Sequence, residues 1–373
     1  MPAWSLRDRT CIAGIGTTAY GVFPETDDYG LGLEALRSAV DDCGIGFDEI
    51  DGLIVNRIPS YERFAEMAGL RPQFCLHTVG EGRFSGVSLM LAAQAIATGN
   101  AEVVALVYGN NGKSAGMRYG GEAGPWAPAG FTSPGAIHAM MFQRHMAAYG
   151  TRSEDLAHIA VAFRAHAARN PAAVMRDPID VADHQRSRFV CEPLHLFDYC
   201  LINDGGVAWI MTTPERARDL AKPPVLVSGF ARRDSFDDAS FPRADYWYSA
   251  LSDIASKVYE RAGVAREELD GLMLYDNFTP TVLFTLEGLG FCRPGESGEF
   301  VRDGTLALGR GRWPTNTNGG HLSESYMQGW GLIAEAVRQC RGEAGERQIP
   351  DCRSVLYACA ANIATSVIFR SDF

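Results

Sequence analysis

The chain carries a repeat of itself, and that repeat limits its architecture more than any other feature. Residues 35–56 read ALRSAVDDCGIGFDEIDGLIVN, and residues 254–275 read IASKVYERAGVAREELDGLMLY. Each is an amphipathic helix closed by a glycine, then a short acidic link, then an Asp-Gly pair launching an apolar strand. Gly44, Glu49, Asp51 and Gly52 recur at one constant offset as Gly263, Glu268, Asp270 and Gly271. The similarity continues beyond these units. Gly86 to Gly99 is a helix of small and apolar residues followed by a strand from Glu102 to Tyr108. Gly329 to Gly342 (GWGLIAEAVRQCRG) is followed by a strand from Ser354 to Tyr357. Helices this rich in Gly, Ala and Ser approach one another closely, so the pair is expected side by side between sheets.

The strand at 224–230 (PVLVSGF) opens the second half as 11–16 (CIAGIG) opens the first. Pro223-Pro224, after a helix around 214–221, marks the boundary. The expected organisation is α/β, with an N-terminal half over 1–222 and a C-terminal half over 223–373. Residues 110–190 read as an insertion in the first half, Gly/Pro-rich at first and helical through 135–170, in the manner of a lid.

Charge and cysteine usage exclude several classes. The net charge is −11 over 373 residues, which argues against a nucleic acid or an anionic membrane as partner, since both demand a basic face. No apolar run reaches the roughly 18 residues that cross a bilayer, and Met1 to Thr10 is polar with no apolar stretch behind it, so a cytoplasmic location is expected. The nine cysteines are scattered singly without a CxxC pair, which suits reduced thiols and no metal site in this chain.

Three motifs lie in order on this duplicated scaffold: Asn203-Asp204-Gly205-Gly206-Val207-Ala208, Tyr275-Asp276-Asn277-Phe278-Thr279, and Asn316-Thr317-Asn318-Gly319-Gly320 followed by Ser323 to Gly329 (SESYMQG). Together they resemble the NDGG, HDCFT and NTxGG…GHPxG stretches of the thiolase superfamily, in its lipid-transfer (sterol-carrier-protein-linked) branch. The resemblance implies the thiolase fold, two duplicated α/β halves forming a layered α-β-α-β-α core. Where acyl-transferring members carry a nucleophilic cysteine in CxSG, this chain has Arg83-Phe84-Ser85-Gly86, and arginine cannot be acylated. The histidine of GHPxG aligns with Tyr326, and the first residue of HDCF with Tyr275. Ser323-Glu324-Ser325-Tyr326 is a close variant of the SEGY that marks the steroid side-chain aldolases.

That sub-branch implies retro-aldol cleavage of a β-hydroxyacyl-CoA thioester, a 17-hydroxy steroid side-chain ester giving a 17-ketosteroid and propionyl-CoA or acetyl-CoA. Tyr326 is then the acid or base at the hydroxyl, Tyr275 its partner, and His321 a third participant that orients Tyr326 or binds the oxyanion. Tyrosine takes such roles when neighbouring donors or cations lower its pKa from about 10. Substrate contacts are expected from Arg83, Asn277, Asn318 and Gly320. The resemblance further implies a homodimer with core sheets paired edge to edge. It also implies a small OB-fold and zinc-ribbon partner completing a heterotetramer, with any zinc on that partner and no cofactor in this chain. Two alternatives remain open: acyl transfer through Cys359 or Ser85, and a non-catalytic CoA- or sterol-binding subunit.

Overall fold

The computed structural model describes residues 5–371 except 81, 83, 119, 122–126, 235–245 and 361–362. The first half contributes strands β1 (Cys11–Thr17), β2 (Gly52–Asn56), β3 (Phe74–Thr78), β4 (Val104–Asn110), the short β5 (Phe189–Cys191) and β6 (Leu194–His195), and β7 (Gly205–Thr212). The second contributes β8 (Val225–Asp234), β9 (Gly271–Leu274), β10 (Ser354–Cys359) and β11 (Ile363–Arg370). Helices α1 (Asp28–Cys43), α2 (Tyr61–Ala68), α3 (Phe84–Ala97), α4 (Pro134–Tyr149), α5 (Ser153–Ala168), α6 (Val181–Arg186) and α7 (Pro214–Ala217) belong to the first half. The second carries α8 (Tyr246–Ala262), α9 (Thr279–Gly288), α10 (Ser297–Arg302), α11 (Gly320–Ser323) and α12 (Trp330–Arg341).

The repeated residues do the same work twice. Gly44 ends α1 at φ 77 and Gly263 follows α8 at φ 67, the left-handed conformation that glycine adopts without a Cβ penalty. Glu49 accepts the Gly46 N–H at 2.7 Å, and Glu268 accepts the Ala265 N–H at 2.7 Å, each closing a one-turn link. Asp51 accepts the N–H groups of Glu102 and Val103, just ahead of β4. Asp270 accepts those of Arg353 and Ser354, at the start of β10. The acidic residue before each first parallel strand therefore fixes the start of its neighbour.

Among the described residues the strands run β3-β2-β4-β7-β1-β8-β11-β10-β9. The two half-sheets meet where Cys11 pairs with Leu226 and Ile12 with Val225, and the Val227 N–H donates to the Thr10 carbonyl beside them. β2 runs parallel to β3 and β4, as β9 does to β10. Where the first half has β3, the second has a single parallel bridge from Leu272 to Thr315. Strand residues alternate between faces as period two requires. Leu106, Tyr108, Trp209, Val355, Tyr357 and Val367 point inward, packed with α3 and α12. Ala105, Val107 and Ile210 point to the outer layer of α1, and Leu272, Leu356 and Ile368 to that of α8 and α9. The five expected layers are present, with the two small-residue helices in the middle one. Trp330, at the start of α12, stacks on Trp209 at 4.1 Å between centroids and couples the halves through their shared core.

One element differs from expectation. The helix expected around 214–221 is a single turn, α7, capped at its Pro214 start by Thr213, and residues 218–222 continue as turns and bends before Pro223-Pro224. In the segment 110–190 the expected helical stretch is α4 and α5, followed by α6, and the inner residues Ala139, Phe142, Ile159 and Phe163 join the core over α9; residues 119 and 122–126 lie outside the described set.

Candidate active site

Each predicted tyrosine is held by its backbone before its side chain does anything. Tyr275 follows the last residue of β9, and its N–H donates to the Ala358 carbonyl at 2.9 Å. The preceding residue, Leu274, is clamped by the Asn316 carboxamide, which accepts its N–H at 2.7 Å and donates to its carbonyl at 2.8 Å. Asn316 itself has φ 49, a conformation asparagine tolerates better than most residues. Tyr326 donates its backbone N–H to Asn203 Oδ1 at 2.9 Å. The motif residue Asn203 is thus tied to Tyr326, while Asp204 beside it pins the chain at Phe23, Lys113 and Ser114.

These supports bring the Tyr275 and Tyr326 hydroxyls to 2.8 Å from one another. Tyr275 is 5% exposed and Tyr326 9%. Their rings stand edgewise to the imidazole of His321, with centroids 4.7 and 5.2 Å away. The three residues singled out in sequence form one cluster, although Tyr275 and Tyr326 are 51 positions apart.

The imidazole is committed to the scaffold. His321 Nε2 accepts the Gly329 N–H at 2.9 Å, so the ring proton belongs on Nδ1. That nitrogen lies 3.1 Å from Asp276 Oδ1, but out of line for a hydrogen bond. The Asp276 carboxylate instead accepts the His321 and Leu322 N–H groups. His321 Nε2, which accepts from Gly329, has no proton to offer.

Burial, then the negative charge that Tyr326 would carry, holds the Tyr275 phenol well above the usual tyrosine range. Tyr275 therefore stays protonated and is a donor. Three of the expected substrate contacts have polar or backbone atoms engaged within the protein. The Asn318 amide donates to Glu324 and its oxygen accepts the Gly320 N–H. Gly320 has φ 63, and a Cβ there would lie 2.1 Å from Asp276 Oδ2, so it serves close packing. Asn277 Oδ1 accepts from Phe278 N–H and Thr281 Oγ1, and its amide lies 3.5 Å from His138 Nε2. Arg83 lies outside the described residues.

Further side chains from both halves surround the pair. Ser85 Oγ donates to the Gly82 carbonyl at 2.9 Å and, with its proton placed there, accepts from the Tyr357 hydroxyl at 2.6 Å. Among the described residues it bonds to no histidine or carboxylate, the kind of base a serine nucleophile needs. Burial pushes the Tyr357 phenol well above its ordinary range. Cys359 is buried in β10 within electrostatic reach of both Tyr275 and Tyr357. Gly82 packs directly on the Tyr275 hydroxyl. Among the described residues no group of three His, Cys, Asp or Glu side chains is placed to hold a metal ion, and no helix is long and apolar enough to cross a membrane.

Glu324 lies under the cluster, 2% exposed, accepting from the Asn170 and Asn318 amides. Burial, then the nearby Glu335 charge, raises its carboxyl to about 7 against the favourable Asn170 bond. A carboxyl whose folded pKa is raised contributes stability at low pH that is lost as pH rises from its ordinary value through the folded one. The melting temperature is therefore expected to fall between about pH 5 and about pH 8, and Glu324→Gln to flatten that fall. An unchanged slope in thermal melts of the variant would assign the titration to another group.

A duplicated five-layer body with its site where the halves meet is the thiolase fold, and residues 236–369 match the thiolase C-terminal domain-like family. The chain is 38% identical to the steroid side-chain-cleaving aldolase of Thermomonospora curvata over 95% of its own length and 96% of that protein's. It is 33% identical to the 17-hydroxy-3-oxo-4-pregnene-20-carboxyl-CoA lyase of Mycobacterium tuberculosis, over 97% and 98%. The solved structure of an Ltp2-ChsH2(DUF35) aldolase superposes with a TM-score of 0.92 at 36% identity, covering 98% of this chain and 99% of that one. The chain belongs to the thiolase superfamily, in the family of the steroid side-chain-cleaving aldolases, which are lyases.

Proposed function

We propose that the protein cleaves the carbon–carbon bond of a β-hydroxyacyl-CoA thioester by a retro-aldol reaction, with a 17-hydroxy steroid side-chain ester as substrate. The observation that carries this reading is the buried hydroxyl pair of Tyr275 and Tyr326, in a chain whose residue at the usual nucleophile position is Arg83. Such a site exchanges protons and forms no acyl-enzyme.

The assignment of roles follows from the electrostatics. Tyr275 keeps its proton and donates it in a hydrogen bond to Tyr326, which favours the phenolate of Tyr326. That phenolate takes the proton of the β-hydroxyl. The electrons of the O–H bond form the ketone, the bond between Cα and Cβ breaks, and its electron pair passes to the thioester as an enolate. The proton now on Tyr326 returns to Cα, giving a 17-ketosteroid and propionyl-CoA. His321 holds Gly329, and so the turn after Tyr326, in place. No metal or cofactor of this chain enters the scheme.

The solved relative's name joins the aldolase to a DUF35 protein. This supports the reading that the chain works with a small partner of OB-fold and zinc-ribbon type, as a heterotetramer built on a homodimer. β3 offers the edge for that homodimer, lying at the end of the sheet order with Phe74 to Leu76 partly exposed. A cytoplasmic location fits the reduced cysteines.

Mass spectrometry of the chain incubated with a 17-hydroxy steroid CoA thioester tests this. The ketone and propionyl-CoA are expected in equal amounts, with turnover much faster when the partner is co-expressed. Intact substrate with both preparations would refute the activity, and equal rates would remove the partner.

A further inference from the structure

Two unusual features meet at Gln328, two residues after Tyr326. Its backbone has φ 48, the left-handed region that a residue bearing a Cβ enters only at a cost. Its side chain is buried, at 5% exposure. The carboxamide nitrogen donates to the Gly80 carbonyl at 3.1 Å, and that acceptor fixes which end of the group is nitrogen. The oxygen, equally buried, accepts from nothing among the described residues. Asn316 shows what a satisfied carboxamide on a similarly strained backbone looks like here: φ 49, with both ends bonded to Leu274. A buried acceptor left without a donor destabilises the folded chain, and backbone strain collects where a ligand is handled.

The placement says which ligand. Gln328 ties the turn after Tyr326 to Gly80, and Gly82, two residues on, lies against the Tyr275 hydroxyl. The carboxamide therefore ties the turn after Tyr326 to the loop that packs on the Tyr275 hydroxyl. A β-hydroxyacyl thioester offers few donors there. Its hydroxyl proton goes to Tyr326 in the reaction, and the thioester itself has none. The next donor is the amide N–H of the thiol arm, a few bonds beyond the sulfur.

We infer that Gln328 binds the substrate, its Oε1 accepting a hydrogen bond from the first amide N–H of the CoA arm. The ligand named here rests on the retro-aldol reading, so the test uses binding, which needs no cleavage. The full-length chain with its co-purified partner is titrated with propionyl-CoA by calorimetry, as wild type, Gln328→Gly and Gln328→Asn. Both replacements tolerate the left-handed backbone, and neither carries an oxygen to that position. Each is expected to melt close to wild type and to bind about tenfold more weakly, the effect of one hydrogen bond. Wild-type affinity in the variants would overturn the assignment.

A second arm needs no variant. The wild type should bind the N-acetylcysteamine thioester of propionate about tenfold better than the amide-free ethyl thioester, and equal affinity would also overturn it. Binding that follows these expectations without any cleavage would instead count against the retro-aldol chemistry alone.

Discussion

Tyr326→Phe is expected to lower kcat for thioester cleavage by a factor of about 10² to 10⁴, the usual range for removing a positioned acid or base. The ring stays, so its edgewise contact with His321 and the backbone bond to Asn203 remain, and the melting temperature should stay near wild type. The pH profile carries the finer test. Cleavage should rise with pH as Tyr326 loses its proton. Tyr275→Phe should shift that rise to higher pH, because the phenolate then loses the donor 2.8 Å away. Turnover of Tyr326→Phe within a few-fold of wild type would end the proposed role.

The second large effect comes from a residue without a side chain. At Gly82 a Cβ would lie 1.8 Å from the Tyr275 hydroxyl oxygen and 2.1 and 2.4 Å from two carbons of its ring. Tyr275 cannot yield easily, because Asn316 and Ala358 fix the backbone on either side of it. Gly82→Ala must therefore push the two hydroxyls apart or displace its own loop. A displacement of about 1 Å costs on the order of 10²-fold in rate, and that loss is expected in kcat with little change in thermal melting. A crystal structure of the variant should show the hydroxyl pair separated. An intact pair together with wild-type kcat would mean that the loop simply moves aside.

The scaffold was legible in the sequence because its determinants are local. A glycine at positive φ after a helix, a glutamate closing a single turn and an aspartate capping the next strand each act within a few residues or on backbone groups. Repetition made each of them visible twice. The tyrosine cluster was legible because Tyr275 and Tyr326 sit in motifs that the scaffold brings together. What escaped depends on contacts between halves. Nothing near Tyr275 in the chain says how deeply its hydroxyl is buried, and burial is what raises its pKa. Asn318 and Gly320 looked available for a ligand because Glu324 and Asp276, which occupy them, are neighbours in space for reasons of turn geometry. The bond between Ser85 and Tyr357, 272 positions apart, had no sequence signal at all.

Asp51 and Asp270 grip main-chain N–H groups, which every residue but proline possesses. Whatever occupies the ends of the neighbouring strands can therefore be exchanged without loosening these attachments. A body anchored in this way can shed a thiol and acquire phenols at its centre while its frame stays as it was. The frame is blind to the reagents it carries.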